Sequence, residues 1–578
     1  MRYLALATDY DGTLAHDGRV KDSTLAALER LRKSGRGLLL VTGRELGDLK
    51  KTFSRLDLFD HVVVENGALL YKPDTKEEKV LGAAPPPAFL EALRGRGVPI
   101  SVGRSIVATW EPHQAAVLDA IRELGLELHV VFNKGAVMVL PPQVNKATGL
   151  AAALAELKLS PHNAVGVGDA ENDHAFLAAC ECAVAVANAL PALKDRADFV
   201  TRGDHGGGVE ELIDHLITDD LAAAGERLRR HDILLGRRED GAEERFSPYG
   251  VNVLVAGSSG SGKSTLTTGL LERLAGAGYQ YVVIDPEGDY STLEGAIALG
   301  DPGRAPSARE VLGLLETPGE NAVINLLGVM LEARPAYFTA LLPRLQELRS
   351  RTGRPHWVVV DEAHHLIPAD WRPTAETMPK EAGGMLYITV HPDSVAAAAM
   401  ESVHLLLAVG KEPEKTVEGF CKAAGRTPPG RGGATRPLLA TGEILAWRPQ
   451  SDAGPVRVRS EPPRTERVRH SRKYAEGSLG PERSFAFRGA EGKLNLKAQN
   501  LVVFLQMADG VDDDTWNHHL KQRDYSRWFR EGIKDDDLAA EVERIEGREG
   551  ATPKESRAAI REAVEKRYTL PVDKPSGM

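Results

Sequence analysis

Short apolar runs recur along the first part of the chain, and longer amphipathic segments separate them. Four of these runs begin the stretches GLLLVTGR, HVVVENGALLY, AVGVGD and CAVAVANA, and each ends at polar or turn-forming residues. Runs with such boundaries are typical of buried strands. Strands that alternate with helices predict a doubly wound parallel sheet over residues 1–217. Ligands bind at the carboxyl ends of the strands in this fold, so the polar residues found there are candidates for chemistry.

The same alternation returns at YGVNVLVAG and continues to about residue 448, which predicts a second doubly wound α/β domain over residues 248–448. We interpret the charged stretch 218–247 as a helical or solvated linker between the two domains. The interval 449–475 is rich in Pro and Arg and predicts an extended, basic linker. Residues 476–578 carry aromatic residues at helical spacing, which predicts a small C-terminal helical module.

Composition limits the classes of function that these domains can have. The chain has 578 residues with a formal net charge of -10, which provides no general attraction to nucleic acid or to an anionic membrane. Three cysteines cannot form a disulfide framework. We see neither a signal peptide nor an apolar stretch of membrane-spanning length. We therefore expect a soluble, cytoplasmic protein without membrane partners.

Two aspartates follow the first apolar run, in the sequence LALATDYDGTLAHDG. Downstream, polar residues follow other predicted strands in LLLVTGR and VGVGDAENDHAF, and a lysine lies in VNKATGL. Together these residues supply carboxylates, one hydroxyl and one ammonium: Asp9, Asp11, Thr42, Lys146, Asp169 and Asp173. This combination suits the transfer of a phosphoryl group to a carboxylate.

Each of these groups has an expected role in that chemistry. Asp9 attacks phosphorus and forms an aspartyl phosphate, while Asp11 donates a proton to the leaving oxygen and later accepts one from water. A hard divalent cation, Mg²⁺, is expected at Asp9, Asp169, Asp173 and the backbone carbonyl of Asp11. The transferred phosphoryl oxygens are expected to be held by the hydroxyl and the ammonium, Thr42 and Lys146.

These motifs resemble those of the haloacid dehalogenase superfamily of phosphatases. The first three match Asp9-Tyr10-Asp11-Gly12-Thr13, Thr42-Gly43-Arg44 and Lys146, and the fourth matches Gly168-Asp169 with Glu171-Asn172-Asp173. The stretches ENGA at 65–68 and ANA at 187–189 are similar to the Cof-like, sugar-phosphatase branch. The resemblance implies a Rossmann-like domain with a small α+β cap at about residues 73–142, acting on a small phosphorylated metabolite.

The second domain begins with a glycine-rich loop between a predicted strand and a predicted helix. The stretch AGSSGSGKSTL at 256–266 fits the pattern Gly-x4-Gly-Lys-Ser of P-loops that bind ATP. Glycines let the backbone N–H groups surround phosphates, the lysine neutralises them, and the serine hydroxyl binds Mg²⁺. The predicted nucleotide-binding residues are Gly257, Gly260, Gly262, Lys263, Ser264 and Thr265.

A second acidic motif follows in HWVVVDEAHHLIP at 356–368. We expect Asp361 to position Mg²⁺ through water and Glu362 to polarise the water that attacks the γ-phosphate. The second acidic residue favours ATP hydrolysis over the transfer of phosphate to another substrate. We interpret His364 and His365 as packing or polar surface residues rather than metal ligands.

This domain resembles the HerA-FtsK group of P-loop motor ATPases through VVIDPEGDY at 282–290 and LYITVHPD at 386–393. The chain departs from the pattern at Val390, where a glutamine usually follows the sensor threonine, here Thr389. The resemblance implies a homo-oligomeric ring in which an arginine from one subunit completes its neighbour's site. The candidates for that arginine are Arg426, Arg431 and Arg436.

We interpret the chain as a bifunctional Mg²⁺-dependent phosphatase fused to an ATP-binding and ATP-hydrolysing domain. The main alternative is a nucleic-acid end-processing or repair factor, in which the ATPase engages DNA or RNA and the phosphatase trims a terminal phosphate. Net charge disfavours that alternative. A third hypothesis makes the P-loop domain a nucleotide-sensing switch that controls the phosphatase. In the C-terminal module, Trp516, Trp528 and Phe529 are interpreted as core residues rather than as a base-stacking surface.

Overall fold

The computed structural model of the chain describes residues 1–568 except 134, 223–227, 373–382, 430–437, 465–478, 480–482, 490–491, 493, 534, 549 and 566. These residues form four sheets, which their helices join into three modules. The α/β class with two extended parallel sheets, predicted from the alternation of strands and helices, is confirmed. Among the residues that the structure describes, no helix combines the length and the apolar character that crossing a bilayer requires.

The first module contains an eight-stranded sheet in the order β12-β11-β10-β1-β2-β3-β4-β5. Strands β1, β2, β3, β10, β11 and β12 are parallel, and β4 and β5 are added antiparallel. The strands are β1 Ala5–Thr8, β2 Gly37–Val41, β3 His61–Val64, β4 Leu69–Lys72, β5 Glu77–Val80, β10 Ala164–Gly168, β11 Cys182–Ala185 and β12 Phe199–Val200. The α-helices around this sheet are Asp22–Lys33, Leu46–Thr52, Lys146–Glu156, His174–Ala179, Pro191–Lys194 and His205–Asp219.

The cap is a four-stranded antiparallel sheet in the order β6-β7-β9-β8. Its strands are β6 Ser101–Val102, β7 Val107–Trp110, β8 His129–Asn133 and β9 Ala136–Leu140, and its helices are Pro87–Gly95 and Gln114–Glu123. The predicted start of the cap near residue 73 is too early. Strand β5 forms an antiparallel hairpin with β4, with Val80 opposite Leu69, and therefore belongs to the main sheet rather than to the cap.

The second module is built on an eleven-stranded sheet in the order β14-β13-β23-β22-β21-β15-β20-β19-β16-β18-β17. The seven strands from β21 to β17 are parallel, and the other four are antiparallel. The strands are β13 Ile233–Arg237, β14 Glu243–Phe246, β15 Val253–Ala256, β16 Tyr281–Asp285, β17 Ala296–Leu299, β18 Asn321–Asn325, β19 Trp357–Val360, β20 Met385–Thr389, β21 Leu405–Val409, β22 Glu443–Trp447 and β23 Val456–Ser460. Its α-helices are Lys263–Gly276, Ala308–Leu315, Arg334–Thr352, Ala363–Leu366, Ala397–Glu401 and Pro413–Ala423.

Both segments predicted as linkers contribute strands to this second sheet. Within 218–247, β13 and β14 form a hairpin, and within 449–475, β23 pairs with β22 and with β13. The linker interpretation is therefore wrong for residues 233–246 and 456–460. Burial alternates along Glu243–Phe246 as the two faces of an edge strand require, with Glu244 and Phe246 buried and Glu243 and Arg245 exposed. The buried carboxylate of Glu244 forms ion pairs with Arg238 and Arg448.

In its described residues, the C-terminal module combines a small hairpin with five helices over an aromatic core. The hairpin strands are β24 Phe485–Phe487 and β25 Leu496–Ala498, and the helices are Leu501–Gly510, Asp513–Lys521, Asp524–Glu531, Asp536–Glu546 and Pro553–Glu565. The side chains interpreted as core are buried, with exposed fractions of 0% for Trp516 and Phe529 and 7% for Trp528. Asp512 and Asp535 accept hydrogen bonds from backbone N–H groups at the starts of two of the helices.

A buried polar cluster joins the first module to the second. His162 Nδ1 lies 2.7 Å from Glu181 Oε2, and His162 Nε2 lies 2.7 Å from the carbonyl oxygen of Ala277. Tyr279 donates to the same carboxylate at 2.9 Å and stacks on the His162 ring. Arg2 forms an ion pair with Glu181. Burial alone acts to raise the pKa of Glu181, but His162 and Arg2 outweigh it and hold that pKa at about 2.

Candidate active sites

The first candidate site lies at the carboxyl ends of β1, β2 and β10, where the strand order reverses. Because β1 pairs with β2 on one side and β10 on the other, Asp9, Thr42 and Asp169 lie side by side. Lys146 Nζ donates to Asp9 Oδ1 at 2.5 Å and to Asp173 Oδ1 at 2.6 Å. Residues from four separate chain segments therefore converge at the switch point expected for a doubly wound sheet.

Local geometry aims Lys146 into this site. The helix Lys146–Glu156 begins with a capping box, in which Asn145 accepts hydrogen bonds from the N–H groups of Ala147 and Thr148. The turn Glu65–Gly67 between β3 and β4 packs against this helix start: Gly67 has φ +107, and a Cβ there would lie 1.9 Å from the carbonyl oxygen of Asn145. Only glycine permits this approach, which brings the start of the helix against the main sheet. Lys146 is consequently 1% exposed.

The charges at the site are strongly coupled. Burial, and then the charge of Asp173, raises the pKa of Asp9 to about 8, although Lys146 opposes the shift. Burial acts to lower the pKa of Lys146, but Asp173 and Asp9 outweigh it and the net shift is upward. The lysine is therefore charged, and the full ionisation of Asp9 requires further positive charge nearby.

A divalent cation fits this requirement. Asp9, Asp169 and Asp173 each offer a carboxylate oxygen, and these oxygens lie within 4.8 Å of one another. Asp173 Oδ2 accepts hydrogen bonds from the N–H groups of Asp169 and Ala170, both at 2.9 Å, which fixes its orientation. When all three carboxylates are ionised, the ammonium of Lys146 balances one charge and two remain to be neutralised. Hard oxygen ligands of this kind are those that Mg²⁺ prefers.

Asp11 has a partner that the sequence interpretation did not assign. Arg44 donates to both carboxylate oxygens of Asp11, at 2.7 and 2.8 Å, and also to Asp48 at 2.6 Å. The Asp11 side chain is 43% exposed, in contrast to buried Asp9. The bidentate pair orients the carboxylate expected to transfer protons. Arg44 had a signal in the sequence, because it follows Thr42 in the second motif.

The cap is fastened over this site by a second unassigned residue. Glu65, 2% exposed and with φ +51, accepts hydrogen bonds from the backbone N–H groups of Arg104, Ser105 and Ile106 in the cap. Met138 of the cap is 6% exposed and lies close to Gly43. The cap therefore closes directly on the loop after β2.

The second candidate site is the loop between β15 and the helix Lys263–Gly276. Gly260 and Gly262 have φ of +73 and +99, and a Cβ on Gly257 would lie 2.2 Å from the carbonyl oxygen of Val409. Lys263 Nζ donates to the carbonyl oxygens of Gly257 and Ser258 at 3.0 and 3.1 Å. The side chain of Lys263 thus lies across the loop, and its ammonium occupies the region where bound phosphates are expected. Ser264 and Thr265 lie in the first turn of the helix.

Asp361 and Glu362 follow β19, and β20 separates that strand from β15. Burial, followed by the charge of Glu362 and of the carboxylates after β16, raises the pKa of Asp361 well above its usual value. Glu362 adopts a left-handed backbone with φ +42. His364 Nδ1 lies 3.1 Å from Thr389 Oγ1 and 3.5 Å from Glu362 Oε2. His364 thus bridges the acidic motif and the strand predicted to carry the sensor, a role that sequence reasoning missed.

The arginines considered for a neighbour's site have different outcomes. Arg426 donates to the carbonyl oxygens of Pro449 and Glu401, at 3.2 and 3.3 Å, within its own module. Arg431 and Arg436 lie outside the described residues. The predicted ring and its arginine therefore stay predictions.

Comparisons with known families match the first and the second module to two different families. A profile of haloacid dehalogenase-like hydrolases matches residues 6–87 and 116–213, and one of the central domain of the helicase HerA matches residues 252–333. A phosphoglycolate phosphatase of Methanothermobacter thermautotrophicus is 33% identical over 218 residues, which are 36% of this chain and 96% of the relative. One of Haloarcula marismortui is 32% identical over 217 residues, 36% of this chain and 95% of the relative.

Among solved structures, a haloacid dehalogenase-like hydrolase from Bacteroides thetaiotaomicron aligns with a TM-score of 0.33 and 18% identity, covering 37% of this chain and 99% of that one. The two profiles fall on the two sheets that carry the candidate sites, and the curated relatives cover the first. The chain therefore belongs to the haloacid dehalogenase-like hydrolase family and joins that phosphatase module to a P-loop module of the HerA type.

Proposed function

We propose that the first module hydrolyses a small phosphate monoester through an aspartyl phosphate and that the second hydrolyses ATP. The observation that carries the first part is the convergence of Asp9, Lys146 and Asp173 on hydrogen bonds of 2.5 and 2.6 Å at the strand switch point. Buried carboxylates around one ammonium are an expensive arrangement for stability alone, and they suit the transfer of a charged phosphoryl group.

In the proposed mechanism an Asp9 carboxylate oxygen forms a bond to phosphorus, and the bond from phosphorus to the ester oxygen breaks. Asp11, held by Arg44, gives its proton to that leaving oxygen and then removes a proton from the water that attacks the aspartyl phosphate. The attack of water releases inorganic phosphate and restores both carboxyl groups. Lys146 and Thr42 bind phosphoryl oxygens as negative charge accumulates on them. Mg²⁺, held by Asp9, Asp169 and Asp173, supplies charge neutralisation when bound.

The substrate proposed is a short phosphorylated acid or sugar phosphate. The curated relatives over this module are named phosphoglycolate phosphatases, and the cap closes tightly through Glu65 and Met138. The test is phosphate release from a panel that includes 2-phosphoglycolate, sugar phosphates and 5′- or 3′-phosphorylated oligonucleotides. Turnover confined to the oligonucleotides would contradict this substrate class.

For the second module, the supporting observation is the P-loop lysine at one strand end together with Asp361 and Glu362 at a nearby one. Lys263 would bind the β- and γ-phosphates, and Ser264 and Asp361 would hold Mg²⁺ directly or through water. Glu362 would orient and deprotonate the attacking water. Release of phosphate from ATP, measured for the full chain, tests this assignment.

Removal of Mg²⁺ is expected to silence both activities. Each site gathers carboxylate or hydroxyl oxygens, which bind hard cations, and without the cation two negative charges at the first site would repel a phosphate dianion. Excess chelator should reduce phosphate release from both substrates to background, and added Mg²⁺ should restore it. Zn²⁺ is expected to restore much less, because these sites lack thiolate and imidazole ligands among their predicted donors. Full phosphatase activity in excess chelator would contradict the assignment.

The match to the HerA central domain also favours a second candidate function, in which the ATPase module engages nucleic acid. The net charge of -10 means that any such contact must be local. Binding of a labelled oligonucleotide that weakens steeply with salt, and ATP turnover stimulated by it, would support this function. A phosphatase rate that changes with ATP in the absence of nucleic acid would instead support the nucleotide-sensing switch.

A further inference from the structure

The loop after β16 brings additional carboxylates towards Asp361. Asp285 accepts hydrogen bonds from the N–H groups of Glu287 and Tyr290, at 3.2 and 2.8 Å, so the loop folds around its side chain. Asp361 N donates to the carbonyl oxygen of Ile284 at 3.1 Å, and β16 pairs with β19 in parallel, so the loop that follows β16 begins beside Asp361. The position of this loop therefore affects the electrostatics of the site proposed for Mg²⁺ and ATP.

One of these carboxylates is paired with a residue of the C-terminal module. Arg483 forms an ion pair with Glu287, whose side chain is only 3% exposed, while the arginine side chain is 28% exposed. The two residues are 196 positions apart in the sequence. A contact between a buried loop carboxylate and a distant module makes that module part of the surroundings of the ATP site.

The backbone of Arg483 is fixed by the core of its own module. Trp528 Nε1 donates to the carbonyl oxygen of Arg483 at 2.7 Å, and Trp528 is 7% exposed. A Cβ on Gly532 would lie 3.0 Å from the same oxygen and 2.6 Å from the Trp528 ring, so the chain passes closely there. The guanidinium therefore extends from an anchored point towards Glu287.

We propose that Arg483 is a positioning residue for ATP hydrolysis, through which the C-terminal module holds the loop after β16 in the geometry that the Asp361–Glu362 site requires. This inference rests on the proposed ATPase function. The loss of an ion pair is costly for a carboxylate that is almost completely buried. Without the guanidinium, the carboxylate of Glu287 is expected to turn towards solvent, and this movement displaces the loop after β16.

The test compares Arg483→Ala with Arg488→Ala in the full chain. Arg488 lies in the same module, and its side chain is exposed. We expect Arg483→Ala to lower kcat for ATP by about tenfold while KM for ATP changes much less, and Arg488→Ala to leave both constants unchanged. Phosphate release by the first module from its own substrate serves as the check that each variant is folded.

A reversed pair separates positioning from general destabilisation. Arg483→Glu combined with Glu287→Arg should recover part of the rate that either single reversal removes, because the ion pair is remade across the same contact. A wild-type rate in Arg483→Ala, or no recovery in the reversed pair with the first module still active, would overturn the inference. If the wild-type chain itself releases no phosphate from ATP, the proposed function fails instead, and the two failures are thereby distinguished.

Discussion

Replacing Asp9 with Asn will abolish phosphatase turnover, with a fall in kcat of about 10⁴-fold or more, while the chain stays folded. An amide is a poor nucleophile, so the aspartyl phosphate does not form. The fold should tolerate the change because Lys146 Nζ can still donate to the amide oxygen at the position of Asp9 Oδ1. The change also removes a carboxyl group whose charged form is disfavoured by burial. Phosphate release in a continuous assay, with the thermal unfolding midpoint as the fold check, measures both effects.

The matched control is Asp11→Asn, at a side chain that is more exposed and bonded to Arg44. This variant keeps the nucleophile and loses proton transfer, so its rate should fall by about 10²- to 10⁴-fold. With a substrate that has a good leaving group, part of this loss should be recovered, since such a group needs less protonation. Phosphate release near the wild-type rate in Asp9→Asn would show that another group attacks phosphorus.

In the second module, Glu362→Gln is expected to bind ATP with near wild-type affinity and to hydrolyse it about 10²- to 10⁴-fold more slowly. Only the water loses its polarising carboxylate, because the phosphate contacts belong to Lys263 and the loop around Gly260. Lys263→Ala should instead weaken ATP binding, since it removes the ammonium that now lies against the carbonyl oxygens of the loop. Calorimetric titration with ATP and phosphate release by each variant separate these two effects.

Glu414→Gln provides the control for a carboxylate lost at the surface of the same module, because Glu414 is exposed in the helix Pro413–Ala423. Its binding and turnover should match those of the wild type. If Glu362→Gln hydrolysed ATP at the wild-type rate, the water would be activated by a different group. The carboxylates of the loop after β16 would then be the next to test.

The fold class, and the positions of the main candidate site residues at the ends of strands, were predictable because their signals are local. Asp9, Thr42 and Asp169 each follow a short apolar run, and the doubly wound topology brings the ends of such runs together without further information. Lys263 was predictable for a similar reason, since the glycine spacing and the helix that follows are contiguous in the sequence.

The features that were missed depend on partners far away along the chain. Glu65 binds N–H groups of the cap about forty residues downstream, and Arg483 meets Glu287 across 196 positions. Strand β13 pairs with β23, more than two hundred residues later, so its charged sequence reads as a linker until its neighbour is known. His364 was discounted as a ligand, but its contact with Thr389 depends on the adjacency of β19 and β20.

The polar cluster between the first two modules has a consequence for dividing the protein. A chain cut after residue 217 would keep His162 and Glu181 but lose the carbonyl oxygen of Ala277 and the hydroxyl of Tyr279 that satisfy them. The separated phosphatase module would expose His162 and Glu181, whose partners lie in the second module. The two phosphoglycolate phosphatases named above align over 96% and 95% of their own length with 36% of this chain. The phosphatase module therefore carries a surface that is complementary to the second module. Co-expression of residues 1–217 and of the rest of the protein as separate chains should yield a complex that purifies together.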